Sequence, residues 1–455
     1  MSESNRRDFL KYTAATGMGF WVAGQLRAAP SRSANQKLQF ACVGVGGKGD
    51  GDSTQVGNVG EVVAICDTND KNLEQKAHQF PNAKKYNDFR KLFDEMGDKV
   101  DAVTVSTPDH CHALVAMMGI RNKKHVYCQK PLTHYVAEAR ALREAANKYG
   151  VCTQMGNQGT AADGLREGVE IIQSGGIGNV TEAHVWTNRP IWPQSPQITD
   201  RFMDPEEVPP HIHWDEWLGP APFRPYHAGY EGFVWRGWWD YGTGALGDMG
   251  CHTANLVFMA LKLQETYPTS VYAESAIVSP ETYPSWATVN YEFPARGDMP
   301  PVKVTWYEGH KGKLHNWPPL ELIEGEKVAD SGSIMVGEKG VLYSPSDYGS
   351  SYTLLPKNKF KNYEKPPHKL PRNGGDDQGM KNEWAAAIHA NDPKIALSNF
   401  NYSAKLTEFI LLGNVAIRCG FRKLDWDGEK MQVTNFPEAN QFISRKYRKG
   451  YSIEF

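Results

Sequence analysis

Over the first third of the chain, short apolar runs alternate with stretches of helical spacing. Lys37–Val43, Glu61–Cys66, Val100–Ser106, His125–Cys128 and Val151–Met155 are nearly continuous in apolar residues, the pattern of strands buried on both faces. Asn87–Met96, His112–Arg121 and Ala137–Tyr149 carry helical periodicity between them. Such alternation predicts a parallel sheet with helices on both faces. After residue 156 the pattern changes. Val180–Thr187, Ser270–Ile277, Thr288–Phe293, Val302–Tyr307 and Ser333–Gly337 read as strands without intervening helices, which predicts an open, largely antiparallel sheet. An open face of this kind is expected to be covered by a second subunit, so a homo-oligomer is expected. Helices near Gly379–Ala390 and Tyr402–Arg418 are expected to pack back on the first region, and Ser344–Gly375 reads as long surface loops.

The first strand runs into Gly44-Val45-Gly46-Gly47-Lys48-Gly49, a G-x-G-x-x-G string, and the second ends at Asp67. Gly44 permits the tight turn, Gly46 lets the backbone approach a pyrophosphate, and Gly49 permits close packing of helix on strand; Gly47, in the same string, is expected to bind the cofactor with them. Asp67 suits a ribose 2′-hydroxyl and would repel a 2′-phosphate, so NAD is favoured over NADP. Ligands of such sheets bind at the carboxyl ends of the strands. Thr107, Pro108, His110, Gln129, Lys130 and Asn157 are therefore expected to line one crevice. The predicted class is α/β: a Rossmann dinucleotide-binding domain at 36–155, followed by an α+β domain at 156–455.

Before residue 36 the reading differs. Asn5-Arg6-Arg7-Asp8-Phe9-Leu10-Lys11 precedes a weakly apolar, Gly- and Ala-rich stretch and resembles a twin-arginine export signal. Residues 1–34 are accordingly expected to be a signal handled by the twin-arginine machinery, leading to the periplasm. The apolar run is too short for a stable membrane anchor. A net charge of −2 with no block of like charge argues against a nucleic-acid partner. The seven cysteines contain no C-x-x-C pair, and no metal site is expected.

Three further motifs lie in order. Cys128-Gln129-Lys130-Pro131-Leu132 follows a strand, Ser106-Thr107-Pro108-Asp109-His110-Cys111-His112 follows another, and Gly242 to His252 spells G-T-G-A-L-G-D-M-G-C-H. Together they resemble the Gfo/Idh/MocA oxidoreductase family (glucose–fructose oxidoreductase, inositol dehydrogenase and rhizopine catabolism), with Gln129 where Glu is usual. The resemblance implies a hydride-transfer site with Lys130, Asp248 and His252 as catalytic residues. Lys130 would hydrogen-bond the reacting hydroxyl. Asp248, opening a helix, would orient the substrate, and either His252, one turn on along the same face, or Lys130 would take the proton.

Seven of the 13 Trp fall between Lys130 and Asp248. Aromatic faces stack on sugars, so Arg189, Trp192, Tyr226, His227, Arg236 and Trp239 are expected to line a saccharide cleft, against the ordinary alternative of core packing. The expected function is an exported NAD-dependent oxidoreductase. Its substrate would be a secondary hydroxyl of a sugar, glycoside or cyclitol, with a tightly bound, recycled cofactor. The alternatives are an NAD-dependent glycoside hydrolase or lyase working by transient oxidation and elimination, and a non-catalytic sugar-binding protein.

Overall fold

The computed structural model describes residues 37–373 and 375–453, so the expected export signal at 1–34 lies outside the described residues. The first sheet contains β1 (Leu38–Val43), β2 (Gly60–Cys66), β3 (Lys84–Tyr86), β4 (Ala102–Val105), β5 (His125–Cys128) and β6 (Thr153–Met155). Its order is β3-β2-β1-β4-β5-β6, and every neighbouring pair is parallel. This is the doubly wound arrangement, whose strand order reverses between β1 and β4 and opens a crevice at their carboxyl ends. Sequence periodicity located Phe89–Met96, Asp109–Arg121 and Val136–Tyr149 to within a few residues, but not Asp70–Gln79. Phe89–Met96 starts where the Asp88 side chain caps the Arg90 N–H. Val136–Tyr149 stops at Gly150, which is left-handed at φ 67°.

The second sheet runs β14 (Thr353–Leu355), β13 (Gly340–Ser344), β12 (Gly332–Gly337), β7 (Val180–Thr187), β10 (Val302–Lys311), β9 (Trp286–Phe293), β8 (Ser270–Ser275), β15 (Leu424–Asp427) and β16 (Gln432–Val433), with β11 (Leu314–His315) paired to β10. It is mixed: β7 and β10 are parallel, and the other pairs are antiparallel. The short strands β14 at one end of the sheet and β15 and β16 at the other escaped the sequence reading because two to four residues carry no detectable alternation.

Alternate residues of this sheet face the helices Gly244–Thr253 and Phe400–Cys419. Val304, Trp306, Tyr291 and Phe293 pack there with Phe409 in one core, and the Tyr291 and Phe409 rings meet at 4.4 Å. The opposite face is partly covered by the chain itself. Trp186, Ile334, Tyr343 and Leu355 bury against Ile323, Trp317, Leu322 and Val328, and Trp186 Nε1 donates to the Ala329 carbonyl. The rest of that face is polar and partly self-paired, as where Thr305 Oγ1 donates to Asn290 Oδ1.

Glu308 points to the buried side, where its carboxylate accepts from Trp306 Nε1 at 2.8 Å. Burial lifts its carboxyl to about 8, with the indole opposing weakly. A folded-state pKa above the unfolded value means that the fold holds a proton the unfolded chain releases, so stability falls as pH rises from about 4.5 to about 8. Glu308→Gln keeps the acceptor and cannot ionise. It is expected to be near neutral at about pH 5 and stabilising by about 2–4 kcal/mol at about pH 8, read from melting curves at the two pH values. An equal shift at both would contradict the assignment.

Candidate active site

One cavity of about 780 Å³ opens at the carboxyl ends of β1, β2, β4 and β5. Its floor is the glycine turn. Gly44 has φ +80°, and a Cβ there would lie 2.5 Å from the Ser106 carbonyl oxygen, so only glycine fits. Gly46 and Gly47 line the cavity, while Gly49 is buried behind the turn against the Gly44 carbonyl. The helix Lys48–Gly57 has no side-chain N-cap, which leaves its first N–H groups for an anion. Asp67 closes β2. Its carboxylate accepts from Val45 N at 2.9 Å, Gly46 N at 3.1 Å and Asn69 N at 2.8 Å. Burial raises its pKa, against these bonds.

Thr107, Pro108 and Gln129 stand on the cavity as expected. His110 does not. It is fully buried between the Trp217 and Tyr241 rings, 2.9 Å from the Trp217 carbonyl and 3.2 Å from that of Tyr241. The turn that starts the helix Asp109–Arg121 points it away, and His112 faces the cavity instead. The ring nitrogens of His112 lie 2.7 Å from the Pro131 oxygen and 2.8 Å from that of Thr107. Asn157 is likewise buried behind the wall, where it accepts from Ser398 Oγ, and its neighbour Gln158 takes the lining position.

The wall facing the glycine turn holds Lys130, Asp248 and His252 together. Lys130 Nζ donates to Asp248 Oδ1 and to the Asp248 carbonyl, each at 2.8 Å. Arg236 Nε approaches the same Oδ1 at 3.3 Å. Burial would raise the Asp248 carboxyl, but Lys130 and Arg236 outweigh it and hold it at about 2. Asp248 lies in the middle of the helix Gly244–Thr253 and does not open it. The four-residue spacing nevertheless keeps it on one face with His252. Burial, reinforced by Lys130, pushes the His252 pKa well below its ordinary value. The ring is therefore neutral, its Nδ1 is buried without a partner, and its edge meets Tyr348 at 4.8 Å between centroids.

Of the six residues expected to line a saccharide cleft, only Arg236 reaches this cavity. Arg189 binds the Asn188 side chain, and its carbonyl takes the Gly309 N–H at the end of β10. Trp192 sits one layer back, edge-on to Phe233 and bonded to Gln194. Tyr226 donates to Glu231. His227 caps a short turn and stacks on Phe202 at 3.7 Å. Trp239 packs on Tyr283 and donates to the Ser279 carbonyl. Much of the aromatic segment is a core of its own, with Trp214, Trp217, Tyr230, Trp238 and Tyr241 packed together. Phe233, Trp235 and Trp217 are its members on the cavity.

Besides His112 and Gln158, the charged cavity residues Asp109 and Lys48 were missed. Asp109 was read as part of a loop motif. It is buried, accepts from Thr243 Oγ1 at 2.6 Å, and burial lifts it to about 7 despite Thr243, Lys130 and Arg236. Lys48 lies within the glycine string. Its Nζ bridges Asp52 Oδ1 and Asp377 Oδ2, at 2.6 Å each. Asp52 is wholly buried and also receives Lys381 at 2.6 Å, with Ser106 Oγ and Gln129 Nε2 at 2.8 Å. Gln129 is explained by this network: a glutamate there would set a second carboxylate against Asp52, whereas the amide donates to it.

Four residues lining the cavity carry a buried polar atom without a partner among the described residues: Thr107 Oγ1, Gln129 Oε1, Gln158 Oε1 and His252 Nδ1. Such atoms are costly unless a ligand or water completes them. With the glycine turn, the uncapped helix and Asp67, the residues present fit a dinucleotide.

Known proteins agree with this geometry. Residues 38–157 match a family model described as oxidoreductase family, NAD-binding Rossmann fold, and residues 189–317 match that family's C-terminal alpha/beta domain. Inositol 2-dehydrogenase of Salmonella typhimurium is 31% identical over 126 residues, which is 27% of this chain and 37% of that protein. A glycosyl hydrolase family 109 protein of Solibacter usitatus is 30% identical over 179 residues, 34% of this chain and 40% of that one. The matches thus span less than half the length of these curated relatives. Among solved structures, the WlbA dehydrogenase of Chromobacterium violaceum, in complex with NADH and UDP-GlcNAcA, superposes with a TM-score of 0.62 at 15% identity over 89% of this chain and 99% of that one.

Proposed function

The chain belongs to the Gfo/Idh/MocA oxidoreductase family, and from that premise we propose that it oxidises or reduces a secondary hydroxyl of a sugar, glycoside or cyclitol with NAD held at the glycine turn. The observation that carries this reading is the meeting of Lys130, Asp248 and His252 on the same cavity as that turn. Bound NAD would supply the hydride acceptor or donor. Gly44, Gly46, Gly47 and the first N–H groups of Lys48–Gly57 would hold its phosphates, and Asp67 its ribose.

The chain's own residues handle the hydroxyl. Two of the Lys130 Nζ protons are engaged by Asp248, so the third is left to donate to the substrate oxygen and stabilise developing alkoxide. Asp248, ionised and fixed by two cations, aims that donor. Neutral His252, whose Nδ1 has no partner among the described residues, would be left to accept a hydrogen bond there. Asp109 has the pKa best matched to carrying the released proton near neutrality, at about 7. Ile212 lines the cavity, and its segment is tied to the loop after β2. His213 N donates to the Thr68 carbonyl, and Asp70 N donates to that of His211, just past Asp67. These ties support a cofactor that is retained between turnovers.

Export by the twin-arginine route to the periplasm is part of the proposal, supported by the Arg6-Arg7 string. So is a homo-oligomer formed on the uncovered part of the second sheet, which a stable monomer in sedimentation would exclude.

The test is the absorbance of purified protein before and after a panel of sugars, glycosides and cyclitols. A reduced-nicotinamide band appearing with one class supports the reading. Free sugar released from a glycoside without net reduced cofactor would replace it by cleavage through transient oxidation. Failure to bind NAD would overturn it.

A further inference from the structure

We propose that the Arg236 side of the cavity is a carboxylate subsite, and that the sugar or cyclitol acted on carries an acid group. The inference rests on the reading above and names its substrate class. Its ground is charge and geometry. Lys130 and Arg236 both face the cavity and share one carboxylate, Asp248. Among the described residues neither cation has another carboxylate within ion-pair distance. Asp109 accepts from Thr243 and, at about 7, is only partly ionised near neutrality, Glu231 accepts from the Tyr226 hydroxyl at 2.9 Å, and Asp52 and Asp377 are paired with Lys48 and Lys381. Partly desolvated cations favour an anionic partner, and the nicotinamide of an oxidised cofactor would add a further positive charge.

The guanidinium is also held as a receptor for a planar anion. It lies over the Phe233 ring at 4.4 Å and the Trp235 ring at 4.3 Å, which fixes its plane. Nε is directed to Asp248 and Nη1 to the Phe233 carbonyl, each at 3.3 Å. Nη2 makes no hydrogen bond among the described residues. Its backbone is set by contact: a Cβ at Gly242 would lie 2.5 Å from Arg236 Cα, so the chain closes tightly there. An arginine with two edges anchored and one left open beside a catalytic lysine can take a carboxylate through that edge while the neighbouring hydroxyl meets Lys130.

The experiment is calorimetric binding to the NAD-loaded protein, with turnover followed in parallel. Glucuronate and galacturonate are compared with glucose, galactose and myo-inositol. The uronates are expected to bind at least about tenfold more tightly than their neutral parents, a charge-assisted preference. Arg236→Gln is expected to bring that ratio close to one, with Arg236→Lys in between. Neutral sugars binding as well as uronates to the wild-type protein would overturn the subsite, and this arm needs no variant. A preserved ratio in Arg236→Gln would overturn it too. Turnover of neutral sugars alone would sink the subsite and leave the oxidoreductase reading standing. Uronate binding with no nicotinamide reduction by any sugar would do the reverse.

Discussion

Lys130→Met is expected to lower turnover by about 10²–10⁴-fold, the range for losing a positioned donor to a developing oxyanion. The side chain contributes through Nζ, whose two contacts to Asp248 hold it against the substrate position. Methionine fills similar space without the donor, and Asp248 keeps Arg236 as its remaining cation. The melting temperature and cofactor affinity should therefore change little, because Gly44, Gly46 and Asp67 are untouched. Single-turnover nicotinamide absorbance and cofactor titration separate the two effects. Turnover within tenfold of wild type would remove Lys130 from the chemistry.

The second large effect concerns the scaffold under that lysine. Lys381→Met should destabilise the fold by about 3–5 kcal/mol, the usual loss when one partner of a buried ion pair is removed. Lys381 is wholly buried and binds Asp52 Oδ1 at 2.6 Å, with the Tyr127 hydroxyl and Asp377 Oδ1 at 3.0 Å. Without it, buried Asp52 keeps Lys48 alone as counter-ion. Because Lys48, Ser106 and Gln129 hang from the same carboxylate and line the cavity, cofactor affinity should fall as well. Adding Asp52→Asn removes the stranded charge, so the double variant should be more stable than Lys381→Met alone. Denaturant unfolding of the three variants measures this. Strictly additive losses would show that the two residues do not communicate.

Five strands of the first sheet were legible because they are largely buried and end in residues with few structural alternatives, whereas the short, exposed edge strand Lys84–Tyr86 carries no such signal. The glycine turn and Asp67 are local signals, and the structure brings them together with Lys130 as expected. Side-chain direction at the start of a helix was not legible. His110 and His112 are two residues apart, and only the turn at Pro108 decides which one faces the ligand. The aromatic segment misled for a related reason. Trp192, Tyr226 and Trp239 have the composition of a sugar platform, yet they pack as a core and behind Phe233, because aperiodic sequence carries no inside–outside pattern. Asp109 and the Asp52–Lys381 pair depend on contacts between distant segments, the latter 329 residues apart, which no local spacing encodes.

The most direct test of the central claim follows the hydrogen itself. The protein is incubated with NAD and sugars or cyclitols deuterated on carbon, and the mass of the cofactor is then measured. Deuterium on the nicotinamide ring with wild-type protein, and none with Lys130→Met, is the predicted result. A substrate consumed at wild-type rate while its deuterium stays in place or passes to solvent would contradict it.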